Sequence, residues 1–145
     1  GDYWGLTRSS PTTVKKVDWV SGACILTTAA LFKEMGGFDK EIFMYMEEID
    51  LLYRAAKKGY QTWFCPDAQF IHLGSASSGG TTFPILQVYN GFLYFYKKHY
   101  SRNYVRILRL MLQLKAQIAL LMGKITGNTY LKTTYEQAYK IASMD

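Results

Sequence analysis

Between Tyr104 and Ile125, the apolar residues Tyr104, Ile107, Met111, Leu114, Ile118, Leu121 and Ile125 recur at alternating gaps of three and four. That period fits one face of a long helix; a strand would alternate every second residue. Arg102, Arg106, Arg109 and Gln113 keep the same spacing two residues out of phase, roughly 200° around the axis. The result is an amphipathic, cationic helix, and the chain beyond Pro84 reads as helical almost to Gly127, a helix-ending glycine. Two environments suit such a stripe. It can pack on a protein core with the arginines facing water, or it can lie on an anionic membrane surface.

Charge sharpens the choice. From Gly1 to Asp67, nine acids face eight bases, whereas Ala68 to Tyr135 contains eight Lys and Arg and no Asp or Glu, within a net charge of +6. An acid-free stretch of this kind meets an anion without repulsion: a diphosphate, or an anionic lipid surface along residues 97–124. Nucleic acid is not expected. Aromatics interleave with Lys and Arg between Phe92 and Arg109, but at helical spacing and without a nucleic-acid motif. At 145 residues and 49% hydrophobic, the chain can bury a core and is neither disordered nor low-complexity. No run reaches the eighteen or so apolar residues of a membrane span, and no signal-peptide pattern opens the chain. Cys24 and Cys65 lie in apolar runs and read as buried thiols in a reducing compartment.

The first 83 residues read differently from residues 84–145, which form the basic helical extension. A polar arm is followed by a strand over Val17 to Leu26, in which Gly22 marks the close approach of a backbone or a ligand. Thr27 or Thr28 caps a short helix over Ala29 to Met35, ended by Gly36-Gly37. A second helix from about Glu47 to Lys58 opens on Glu47, Glu48 and Asp50 and closes on Lys57, Lys58 and Gly59, as the helix dipole favours. Asp50 and Arg54, four apart, can pair along it. Tyr60 to Cys65 reads as a strand, Gln69 to Leu73 as another extended piece, and Ser75 to Thr82 as a small-residue loop. This order points to an α/β or α+β layer fold.

Carboxylates opening a helix are held ionised by its dipole and by nearby N–H groups, and a positioned carboxylate can take a proton from a hydroxyl. A histidine ending a later strand, His72, can offer a nitrogen to a divalent metal. Taken singly, each of these residues is commonly structural. Their order is more specific: Val17-Asp18-Trp19-Val20-Ser21-Gly22-Ala23, Gly36-Gly37-Phe38-Asp39, an aromatic segment, Glu47-Glu48-Ile49-Asp50-Leu51, Arg54, Gly59-Tyr60, Pro66-Asp67-Ala68 and His72.

That series, from about Lys16 to Ser77, closely resembles the C-terminal half of the catalytic domain of family 2 glycosyltransferases, in particular their bacterial rhamnosyltransferase-like branch. The resemblance implies the C-terminal part of a GT-A type α/β fold, here followed by the amphipathic helices. It also implies inverting transfer of a sugar from a nucleotide-sugar donor to a hydroxyl of a glycan or lipid-linked acceptor, as in cell-envelope polysaccharide synthesis. The family's catalytic base maps onto Glu48, where this chain carries Glu in place of the usual Asp, with Glu47 and Asp50 beside it. Trp19, Gly22, Asp39, Arg54 and Ser75 map to donor or acceptor contacts, and the loop from Ser75 to Thr82 maps to a lid. His72 maps to a ligand of Mg²⁺ or Mn²⁺. The family's Asp-x-Asp metal motif does not occur in these residues. With Gly1 in first place, the chain is expected to be part of a longer enzyme, to hold the metal mainly through an upstream half, and to be inactive alone. The expected location is cytoplasmic, peripheral on the inner face of the plasma membrane. The alternative is a non-catalytic basic module that binds an anionic membrane.

Overall fold

The computed structural model describes residues 12–71 and 82–144 and divides into two compact units. The first comprises residues 12–41 and 47–71, and the second joins Ile42–Met46 to residues 82–144. The described chain is mostly helical, with one two-stranded sheet, as suits a partial α/β fragment.

In the first unit, strand β1 (Lys15–Val17) pairs antiparallel with β2 (Thr62–Phe64), Lys16 lying opposite Trp63. Both strands are shorter than their sequences suggest. A strand extends only as far as a partner takes up its N–H and C=O groups, and among the described residues β1 and β2 have only each other. Residues beyond Val17 therefore leave the ladder, and Gly22 sits in a turn where Ser21 Oγ accepts from the Ala23 N–H at 3.3 Å. Residues 69–71 form no strand either. The two cysteines follow the same logic: outside the ladder, both are free and exposed rather than buried.

Helix α1 (Ala29–Glu34) starts as expected, with Thr28 Oγ1 accepting from the Leu31 N–H at 3.2 Å. It stops at Gly36 and Gly37, both at positive φ, a region where a side chain is strained. Helix α2 (Glu47–Lys57) ends on Gly59 at φ 91°. Met35 at the end of α1 packs with Leu51 and Ala55 of α2, backed by Leu31 and Phe32, and this cluster is the core of the unit. Glu34 accepts from Tyr60 Oη at 2.8 Å and pairs with Lys58 at 3.3 Å.

The second unit contains α3 (Thr82–His99), α4 (Arg102–Thr126) and α5 (Thr129–Ser143). The expected single run to Gly127 is broken at Tyr100-Ser101. A further helix follows Gly127, with Asn128 Oδ1 accepting from the Leu131 N–H at 3.1 Å. Tyr89, Leu93, Leu112, Ala138 and Ala142 form the core. Burial pushes the Tyr89 phenol up to about 12, and its hydroxyl donates to the Leu112 carbonyl at 3.3 Å. Small residues bring α4 and α5 close. A Cβ at Gly123 would lie 3.0 Å from both Leu131 Cβ and the Lys132 backbone nitrogen.

Helix α4 buries Leu112, Ala116 and Gly123 in this unit, with Leu108 packed against the core, and the polar positions Arg109 and Gln113 border that face. Arg109 donates to the carbonyls of Ala142, at 3.1 Å, and Met144, while Gln113 donates to Ala142 at 3.2 Å. The last carbonyls of α5 have no partners within their own helix, so a guanidinium and an amide satisfy them. The apolar stripe consequently turns outward. Each of its seven residues is more than half exposed, from 53% at Ile118 to 76% at Ile125. The stripe packs on no core among the described residues.

Segment Ile42–Met46 joins this unit through α3. Ile42 and Met46 are buried, and a Cβ at Gly91 would stand 2.8 Å from Met46 Cγ and 2.9 Å from the Tyr45 carbonyl oxygen. Tyr45 and Met46 both hold positive φ, 64° and 78°. Such backbone costs on the order of 1–3 kcal/mol per residue and persists only where its surroundings hold it, here the close seat on Gly91. Gly91→Ala is expected to cost a net of about 1–2 kcal/mol in chemical denaturation, because the clash with a backbone oxygen outweighs the gain in helix propensity. Unchanged stability would show that the segment is not seated on α3.

Candidate active site

The strained pair Tyr45-Met46 leads directly into Glu47 and Glu48, the first residues of α2, with Asp50 in the same turn. Glu48 lies against Gly22: a Cβ at that glycine would be 3.5 Å from both Cβ and Cδ of Glu48. Gly22 and Glu48, twenty-six residues apart and both singled out in the sequence, are thus brought together. A side chain at position 22 would cover the carboxylate.

Burial, the largest influence, raises the Glu48 carboxyl above the ordinary glutamate value, and the neighbouring Glu47 adds to the rise. Hydrogen bonding from the backbone of Glu48 itself, Gly22 and Ile49 opposes it without cancelling it. Oε2 of Glu47 and Oε2 of Glu48 are both buried, with no hydrogen-bond partner among the described residues. A buried carboxylate oxygen left unpartnered is costly, and in native proteins it is normally matched by a ligand, a water or a chemical task.

The raised acid has a consequence for stability. The folded state holds the Glu48 proton more tightly than the unfolded chain, so the stability it contributes is present below about pH 4 and is lost as pH rises through the folded pKa. Glu48→Gln is expected to remove that part of the pH dependence and to leave the protein at least as stable as wild type at neutral pH. Melting temperatures across the acid-to-neutral range test this; a Gln variant that melts lower at neutral pH would contradict it.

Asp50 is placed differently from its neighbours. It is wholly buried, and its Oδ2 accepts from Arg54 Nε at 2.7 Å, the pairing expected from their spacing. Arg54 also donates to the carbonyls of Met35 and, at 2.8 Å, Gly37. The guanidinium thus ties the glycine turn after α1 to α2, a link that spacing alone does not reveal. Asp39 Oδ1 accepts from the Glu41 N–H at 2.9 Å, closing a local turn, and Trp19 is partly exposed. Ser75 and His72 lie outside the described residues. Among those described, no three His, Cys, Asp or Glu side chains come together to hold a metal ion.

The curated relatives of this chain are enzymes that transfer sugars. Over 65 residues the chain is 40% identical to the N-acetylglucosaminyl-diphospho-decaprenol L-rhamnosyltransferase of Mycobacterium tuberculosis, a match covering 45% of this chain and 21% of that protein. It is 38% identical over 56 residues to the rhamnosyltransferase WbbL of Escherichia coli, covering 39% and 21%. A hexosyltransferase of low-salt glycan biosynthesis from Haloferax volcanii is 32% identical over 59 residues, covering 41% and 19%. The chain therefore spans about a fifth of the length of the curated relatives it matches. No family model and no solved structure matches it.

Proposed function

We propose that the chain is part of an inverting glycosyltransferase of the family 2, GT-A type, moving rhamnose or a hexose from a nucleotide-sugar donor to a hydroxyl of a glycan or lipid-linked acceptor. The observation that carries this reading is Glu48, whose raised carboxyl and unpartnered Oε2 stand at the start of α2 against Gly22. A base whose pKa is raised is a better proton acceptor. The relatives' sugar-transferring activities agree with that chemistry.

In this mechanism Glu48 takes the proton of the acceptor hydroxyl as its oxygen attacks the anomeric carbon. The bond from that carbon to the diphosphate oxygen breaks on the opposite face, and the nucleoside diphosphate leaves with the electron pair. A single displacement inverts the anomeric centre. Glu47 keeps the Glu48 carboxyl raised, while Asp50 and Arg54 hold the helix start in place. Trp19, Gly22, Asp39 and Ser75 contact the donor or acceptor. Mg²⁺ or Mn²⁺ supplies charge neutralisation at the leaving diphosphate when bound. The described residues hold no cluster that fits such an ion by themselves; in this reading His72 would be one of its ligands. The enzyme works in the cytoplasm, beside the membrane that carries a lipid-linked acceptor.

The test is transfer of labelled sugar by the full-length protein to a polyprenyl-diphosphate-linked sugar, across a panel of nucleotide-sugars. Transfer from a nucleotide-deoxyhexose or nucleotide-hexose is expected; no transfer from any donor would refute the reading.

A further inference from the structure

We infer that the outward apolar face of α4 lies in the headgroup region of an anionic phospholipid membrane, with the helix axis in the plane of the surface. Ile107, Met111, Leu114, Ile118, Leu121 and Ile125 form one continuous exposed band. Besides the face it buries, α4 thus turns a second apolar face to water, and apolar patches of that extent mark an interaction site. The opposite side of α4 is already occupied, by Leu112, Ala116 and Gly123 buried in the helical unit and by Arg109 and Gln113 bonded to the end of α5. The band is therefore available for something else.

Charge selects the occupant. At 100° per residue, Lys115 lies roughly 80° to one side of the band, and Arg106 and Lys124 lie roughly 100° to the other. All three are exposed. An apolar strip flanked by long cations suits a lipid interface, where the stems follow the acyl boundary and the charged heads reach the phosphates. A second copy of the chain would set these cations against their own counterparts, and no Asp or Glu occurs between Ala68 and Tyr135 to relieve that repulsion. The helix lies on the bilayer rather than crossing it, because among the described residues no helix is long and apolar enough to span a membrane. The cations engaged differ from those that periodicity alone suggests, since Arg109 is bonded to the end of α5. This inference is independent of the reaction that the other unit performs.

Co-sedimentation of the full-length protein with vesicles tests it, using phosphatidylcholine and phosphatidylglycerol in about equal parts against phosphatidylcholine alone. Wild type is expected to bind the anionic vesicles and to bind the neutral ones weakly. Met111→Gln, Leu114→Gln and Ile118→Gln together should lower partitioning at least tenfold, roughly, without lowering the melting temperature, because these side chains make no core. Lys115→Gln with Lys124→Gln should lower binding to anionic vesicles about tenfold or more and leave binding to neutral ones unchanged. Absence of wild-type binding, or a triple-Gln variant that binds as well as wild type, would overturn the assignment. So would a triple-Gln variant that melts lower or converts a dimer to a monomer, since the band would then be covered by protein.

Discussion

Glu48→Gln in the full-length protein is expected to reduce sugar transfer by about 10²–10⁴-fold, the range a positioned general base contributes, while donor binding stays within a few-fold of wild type. The amide keeps the size and shape of the carboxyl beside Gly22 but cannot accept the acceptor's proton. Because burial raises the Glu48 carboxyl, the wild-type rate should climb with pH through an acidic limb set by that group, and the limb should vanish in the Gln variant. Glu48→Asp retains a carboxylate drawn back by one methylene and should recover part of the rate. Measured turnover, donor affinity and the pH profile together separate a base from a structural residue. Full turnover by the Gln variant would refute the assignment, and a variant that lost donor binding along with turnover would point to a positioning role instead.

The largest stability effect is expected at Arg54. Replacing it with Met leaves the carboxylate of Asp50 buried without its guanidinium partner, and strips a donor from the carbonyls of Met35 and Gly37. Breaking a buried pair by removing one partner typically costs about 3–5 kcal/mol, most of it the penalty of the stranded charge. Urea denaturation reads the loss directly. Asp50→Asn combined with Arg54→Met should cost clearly less than the sum of the two single changes, since no charge then remains buried. Arg54→Lys should rescue little, because one ammonium cannot serve a carboxylate and two carbonyls in the fixed directions of a guanidinium fork. A loss below about 1 kcal/mol for Arg54→Met would mean that water replaces the guanidinium and that the tie to the glycine turn is not structural.

Both helices of the first unit were legible in the sequence because their signals are local: Thr28 before Ala29, the glycines after Met35, the acids opening α2 and Gly59 closing it. The strands were legible only in part. Val17 to Leu26 has strand-forming composition, but a ladder needs a partner, and β2 offers three residues. The cysteines failed for the same reason, since burial is a property of what packs over a residue. At the candidate site, Glu48 is singled out by the order of motifs, whereas its contact with Gly22 joins residues twenty-six positions apart. Arg54 showed one of its partners in the sequence, the local one, and hid the two in the turn after α1. The seating of Ile42–Met46 on Gly91 carried a faint signal, a glycine inside a helical run.

The helix over Tyr104–Ile125 divides the two kinds of information most clearly. Its existence, its apolar band and its polar face follow from the sequence alone, because 100° per residue is a property of the backbone and needs no neighbours. Which face turns inward was decided by tertiary structure. Helix α5 brings Ala138 and Ala142 to the helical core and turns its unsatisfied C-terminal carbonyls toward Arg109 and Gln113. Close backbone approach at Gly123, the burial of Leu112 and Ala116 and those hydrogen bonds draw that side of α4 inward and leave the apolar band outside. Periodicity specifies two faces; only a packed neighbour determines which of them meets the solvent.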